Sequence, residues 1–244
     1  AISYPMASKF RTGLTVAMFA LIIFTLMIFS VLNGIQDVTT EQPERVTGGY
    51  DIKATITPDL PITGDIRNSL NMSDFTVVAG ASNVRVEVKE HEGENNTYKG
   101  ARLVSLENGF FESTQWRMTH LDPKYGTTDR EIWSSIADNE NLVIASATII
   151  PSEDPFGPPD RSFKTSYLAP GDLKEMESFG IEMKKRRSSA EPEKLIVIGV
   201  IERLASGTGY GGGSARFYSP RSLGAKIAKE EIPSDTFYFS LKDK

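Results

Sequence analysis

The feature that most constrains this chain is a charge-free apolar run near its N-terminus. No charged residue occurs between Arg11 and Asp37, and within that gap the nineteen residues Leu14–Leu32 are almost all apolar. As a helix rising about 1.5 Å per residue they span roughly 28 Å, close to the ~30 Å hydrocarbon core of a bilayer. A fully buried core helix is a rival, but the run is too long and too apolar for one. The sequence therefore predicts a transmembrane helix over residues 14–35. Its polar members, Thr15, Thr25 and Ser30, can bond back to the helix's own carbonyls or mark a face toward other helices. A cleaved signal peptide is the main rival. The run is long for one, and no small-residue cleavage site stands near Asn33–Val38. A lipoprotein signal needs a cysteine, and the chain has none.

Charge sets the expected orientation. Lys9 and Arg11 precede the span, whereas Asp37, Glu41 and Glu44 follow it before the first basic residue, Arg45. The positive-inside rule then places residues 1–13 in the cytoplasm as an amphipathic lead-in and residues 36–244 outside, with the helix in the cell (plasma) membrane. Tyr4 and Phe10 would sit at headgroup level while Lys9 and Arg11 meet anionic lipid.

Beyond the span the chain reads as an ordinary water-exposed protein. Net charge is −5, and the single basic run, Lys184–Arg187, reads as a solvated strand edge or loop, so no nucleic acid is expected as a partner. Without cysteine no disulfide, zinc-thiolate or iron–sulfur site is possible. The two histidines, His91 and His120, read as surface or packing residues.

Period-2 alternation and turn signals divide the remainder. Strands are expected at Tyr50–Thr57, Phe75–Gly80, Asn83–Lys89, Ala101–Leu106, Leu142–Ile150, Phe179–Met183, Lys194–Glu202, Ala215–Tyr218 and Thr236–Leu241. The strand at 194–202 is the most apolar and is expected to be central. Val84, Val86 and Val88 share one face. Helices are expected at Pro61–Leu70 with Thr63 as N-cap, at Asp129–Asp138 with Ile132, Trp133 and Ile136 buried, and after Ser219 with Pro220 in the first turn. His91–Lys99 reads as an exposed hairpin loop and Ala169–Asp172 as a turn. The four prolines of 151–160 impose irregular backbone. The mixture indicates an α+β fold with a mixed sheet, in one domain or two subdomains.

Reaction chemistry is not signalled. Gly207–Gly213 lacks the Lys-Ser/Thr of a phosphate loop and the spacing of a dinucleotide loop, so it reads as a mobile loop. Glu153-Asp154 is an isolated acidic pair, and no nucleophile elbow or triad is present. Asn71-Met-Ser and Asn95-Asn-Thr fit the N-glycosylation pattern, which is common by chance. No catalytic, cofactor-binding or metal-ligating residue is assigned, no cofactor is expected, and the chain is not read as an enzyme.

Arg11-Thr12-Gly13 at the head of the span resembles the transmembrane entry of FtsX-like (MacB/LolC-type) ABC transporter permeases. Leu142–Ser146, then Leu168–Asp172 with its Gly-Asp turn, then Lys194–Ile201, and finally Phe217–Leu223 resemble in order the extracytoplasmic core of that family. Residues 50–130 have no match. The resemblance implies a MacB-like periplasmic core, three further transmembrane helices after it, an ABC ATPase subunit, a second permease copy or paralogue, and the lipid bilayer as partners. Because the chain opens on Ala1 and stops at Lys244 after a strand-like run, it is expected to be a fragment. The competing reading is a single-pass membrane-anchored binding or sensor domain, and an anchored hydrolase is a distant third. The orientation yields a prediction: protease added to intact cells cuts within Gly207–Gly213. Protection of that loop until the membrane is breached would overturn the topology.

Overall fold

The computed structural model describes residues 9–41, 47–56, 65–151, 162–171, 173–202 and 214–242, with side chains of the N-terminal helix described over 11–31. The chain divides into two units, Ala1–Pro43 and Glu44–Lys244. Among the described residues of the first is the helix α1, Lys9–Glu41. It starts before and ends after the apolar run because nothing in the flanks, neither proline nor glycine pair, breaks it.

The second unit is built on nine strands among the described residues: β1 Ile52–Thr55, β2 Phe75–Glu90, β3 Lys99–Leu106, β4 Met118–Leu121, β5 Leu142–Ser146, β6 Phe179–Lys185, β7 Glu193–Ile201, β8 Arg216–Pro220 and β9 Thr236–Leu241. Three helices join them: α2 Asn108–Ser113, α3 Asp129–Ala137 and α4 Arg221–Ala228. The sheet order is β1-β9-β2-β3-β8-β5-β7-β4, with β6 paired to both β2 and β7. That double pairing closes six strands, β2, β3, β8, β5, β7 and β6, into a ring. The contacts β3·β8 and β5·β7 are parallel and the other four are antiparallel.

Closure depends on the length of β2 and β7. The first half of β2 pairs with β9 and the second half with β6, both on the same edge, while β3 occupies the opposite edge. Likewise the first half of β7 takes β6, its end takes β4, and β5 lies along its other edge. Val84, Val86 and Val88 point inward, as their alternation predicts, and meet Leu103, Val143, Ile181, Val197 and Phe217 in one core. Small closed barrels are filled by such side chains, so the ring is a packed core with no conduit. Each fully buried Leu, Ile or Phe contributes about 1.5–3 kcal/mol.

A second core lies on the outer face. There α2 and α3 lay Phe110, Phe111, Ile132, Trp133 and Ile136 over Leu142, Ile144, Ile198 and Tyr218. One bulge serves both cores. Val143 pairs with Val197 but Ile144 pairs with Gly199, so Ile198 is an extra residue on β7. A bulge changes the phase of alternation, which sends Val197 and Val200 inward and Ile198 and Ile201 outward. A Cβ at Gly199 would stand 3.1 Å from Ile132 Cγ2, so glycine lets α3 approach the sheet closely.

Several expectations change. Phe75–Gly80 and Asn83–Lys89 are one sixteen-residue strand, because Ala81 is paired on both edges and the Gly80 break is overridden. In the described part of the helix expected over Pro61–Leu70, Ile66–Ser69 form a 3₁₀ turn capped by Asp65; residues 61–64, Thr63 among them, lie outside the described residues. Pro220, not Ser219, occupies the N-cap of α4. Strand β4 and helix α2 had no sequence signal. Strand β5 turns into a 3₁₀ helix at Ala147–Ile149, and Trp133 is buried as its spacing predicts. Thr128 adds a capping box with Glu131 at the start of α3.

These contacts set a stability order. Leu103→Ala inside the ring is expected to cost about 2–5 kcal/mol, and Thr128→Ala about 1 kcal/mol. Urea unfolding of the two variants in one detergent checks the ranking, and equal midpoints would contradict the ring core.

Candidate functional site on the helix and the outer sheet face

Residues Arg11–Val31 of α1 form a stretch long and apolar enough to cross a membrane, with no part of it buried in protein. Its large apolar side chains are 43–66% exposed all round the helix. Thr15 and Thr25 donate their hydroxyls to the carbonyls of Arg11 and Leu21, at 2.9 and 2.8 Å, so neither brings an unsatisfied donor into an apolar medium. Around Gly13 a Cβ would meet nothing within 4 Å.

The segments that carry the family resemblance in the second unit are neighbours. Strand β5 lies between β7 and β8, and β8 runs directly into α4. Pro170-Gly171 makes the turn before β6, with Gly171 at φ +88°, the backbone that the third position of a type II turn requires. Asp172, Gly207–Gly213, Glu153 and Asp154 lie outside the described residues.

On the outer face an aromatic cluster borders a polar shelf. Tyr50 stacks on Phe110 at 5.3 Å, and Trp116 meets Phe110 and Tyr218 at 5.3 and 5.7 Å. Beside it lies a cavity of about 140 Å³ lined by Lys53, Asn83, Arg102, Trp116, Arg216 and Tyr238, among others. Strand register makes the shelf basic, since Arg85 faces Arg102 and Arg102 faces Arg216. Lys53 Nζ stands 5.5 Å over the Tyr238 ring. Lys53 is exposed, but partial desolvation by the groups around it first, and the nearby Arg216 charge second, lower its pKa. Burial pushes the Tyr218 hydroxyl up to about 12 despite the Arg216 charge and hydrogen bond. Sequence reading missed this set. The outward parity of Asn83 and Arg85 was legible from Val84 and Val86, but the parallel β3·β8 pairing that adds Arg216 has no local signal.

Three carboxylates are structural. Glu90, fully buried, accepts hydrogen bonds from Asn95 N, Thr165 Oγ1, Ser166 N and Ser166 Oγ at 2.6–2.9 Å, tying the 162–168 segment to the end of β2. Glu107 accepts from Arg67, from Gly80 N at 2.9 Å and from Arg221 at 2.7 Å. Glu182 takes Lys89 at 3.0 Å, His91 Nδ1 at 2.8 Å and Tyr98 at 3.1 Å. His91 is thus a half-buried residue held on Glu182, and His120 is buried in β4 beside Thr119. Among the described residues no cluster of acidic or histidine side chains could hold a metal ion. In the basic run, Lys184 covers the Tyr98 ring and Lys185 pairs with Glu230. The Asn71 amide is engaged by Asp74 and the Asn95 amide by the Lys164 carbonyl.

No family model and no curated protein matches this chain. Solved structures that are similar to it include the following three. The extracellular domain of the ABC-type transporter YknZ from Gram-positive bacteria is 14% identical over 78% of this chain and 82% of its own, with TM-score 0.41. The periplasmic region of MacB from Actinobacillus actinomycetemcomitans is 11% identical over 73% and 63%, with TM-score 0.41. A domain of a permease protein from Porphyromonas gingivalis is 11% identical over 69% and 57%, with TM-score 0.39. This chain thus spans less than two-thirds of the latter two.

The Glu182 cluster predicts a pH response. Burial raises its pKa, but the bonds from Lys89, His91 and Tyr98 outweigh that and bring it to about 2, from an ordinary 4.5. A carboxylate held below its unfolded value adds stability above pH 4.5 that is lost as pH falls toward 2. Glu182→Gln should flatten the decline of stability across that window in thermal melts. An unchanged slope would count against the cluster.

Proposed function

We propose that this chain is part of the permease subunit of an ABC transporter or mechanotransmission complex of the FtsX-like kind. Residues 1–13 form a cytoplasmic lead-in, residues 14–35 the first transmembrane helix, and residues 36–244 an extracytoplasmic domain at the plasma membrane. The observation that carries the reading is α1: an apolar surface exposed on every side over Arg11–Val31 is stable only in lipid or against other apolar helices.

The second unit fits the role of a body moved from the membrane. Its ring is filled by side chains, and a close-packed interior transmits displacement rather than deforming. Cargo does not pass through it. Of the four segments that resemble the family's core, Leu142–Ser146, Lys194–Ile201 and Phe217–Leu223 pack side by side, which supports one shared architectural role for these three. The partner ATPase and a second permease copy belong to this proposal, and the domain itself does no covalent chemistry. The basic cavity on the outer face supports the second reading, a single-pass anchored binding domain.

The two readings part on the gene. Three further apolar spans encoded past Lys244, with an ABC ATPase gene alongside whose product co-purifies with the tagged full-length protein, is the expected result. A stop codon shortly after Lys244 and no ATPase in the purified material would overturn the permease reading.

A further inference from the structure

We propose that the cavity on the outer sheet face, between Lys53, Arg102 and Arg216, binds a phosphate group. The inference rests on that cavity alone and not on the permease reading. Three cations from three strands, β1, β3 and β8, line a space of about 140 Å³. Arg102 and Arg216 are direct cross-strand partners, with Arg85 next in the row. Like charges placed opposite one another oppose the pairing, so an arrangement of this kind is expected where an anion offsets it. Among the described residues no carboxylate is ion-paired with Lys53, Arg85 or Arg102. Asp235, the acidic residue at this edge, is already taken up by Asn83 and Thr236.

Trp116 walls one side of the cavity and is only 3% exposed, so it sets an apolar, low-dielectric surface beside the cations. Thr55 and Thr236 bring hydroxyls to the same space. Phosphate is favoured over carboxylate because it carries about −1.5 to −2 charge at neutral pH and its oxygens match guanidinium forks. The volume exceeds that of a water, about 30 Å³, several-fold, enough for one phosphate group with a short ester arm. A soluble phosphoester and a lipid headgroup share this chemistry.

The test uses the full chain in detergent micelles, titrated calorimetrically with inorganic phosphate at ionic strength held constant by chloride. Saturable binding at one site per chain is expected, weakened about tenfold or more by Lys53→Gln/Arg102→Gln. Both side chains are exposed, so the fold survives the change, and a thermal melt verifies this. Arg102→Lys keeps the charge, loses the fork, and should fall between. A remote double variant of equal charge change, Lys174→Gln/Lys226→Gln, should bind as the parent does. Competition by glycerol 3-phosphate and by a short-chain phosphatidic acid then identifies the source: competition by the first marks a soluble ester, and by the second alone a headgroup. Absence of saturable binding, an unchanged affinity in the pocket variant, or an equal loss in the remote variant would each overturn the proposal.

Discussion

The second unit depends on the double pairing of β6. By bonding to the late half of β2 and the early half of β7, this strand removes two edges that would otherwise be open and seals Val86, Ile181, Leu195 and Phe217 from water. Closure is the most effective way to abolish sheet edges. It also forces length on its neighbours. Strand β2 needs sixteen residues because it must serve β6 and β9 in turn, and β7 serves β6 and β4 in the same way. The bulge at Ile198 is the local adjustment that lets one strand feed two cores on opposite faces.

Around this ring one buried carboxylate, Glu90, and one half-buried carboxylate, Glu107, act as pins. Glu90 and Glu107 each gather donors from segments distant in sequence, the first from residues 95, 165 and 166, the second from 67, 80 and 221. An unpaired buried charge would be strongly destabilising, whereas a fully satisfied one specifies a single arrangement of the loops it holds. The outer shelf follows a different rule. There, cations from separate strands, Lys53, Arg102 and Arg216, converge on one cavity.

Much of the local structure was legible in the residues. Val84, Val86 and Val88 alternate because one face of β2 is buried, and Ile132, Trp133 and Ile136 recur at helical spacing because one face of α3 is. Pro170-Gly171 announced its turn. The misses have physical causes. Gly80 looked like a strand break, but pairing on both edges holds the backbone extended through it. Strand β4 is short and stabilised by β7 and by the 174–176 segment, so its own four residues carry no pattern. Ser219 was expected to cap α4, yet it is the end of β8, since sheet pairing extended the strand to Pro220. Of the basic cavity, the outward parity of Asn83 and Arg85 could be read, and the convergence with Lys53 and Arg216 could not.

By itself the sequence determined the apolar helix over residues 14–32 and the faces of individual strands and helices. Both follow from periodicities of a few residues, which act before any long-range contact exists. Only the tertiary structure decided that β6 closes a ring, that β3 and β8 run parallel, and that Lys53, Arg102 and Arg216 meet. The three cations, for instance, stand 49 to 163 positions apart. The energies of these outcomes come from burial and register across the sheet, which no local window of residues contains.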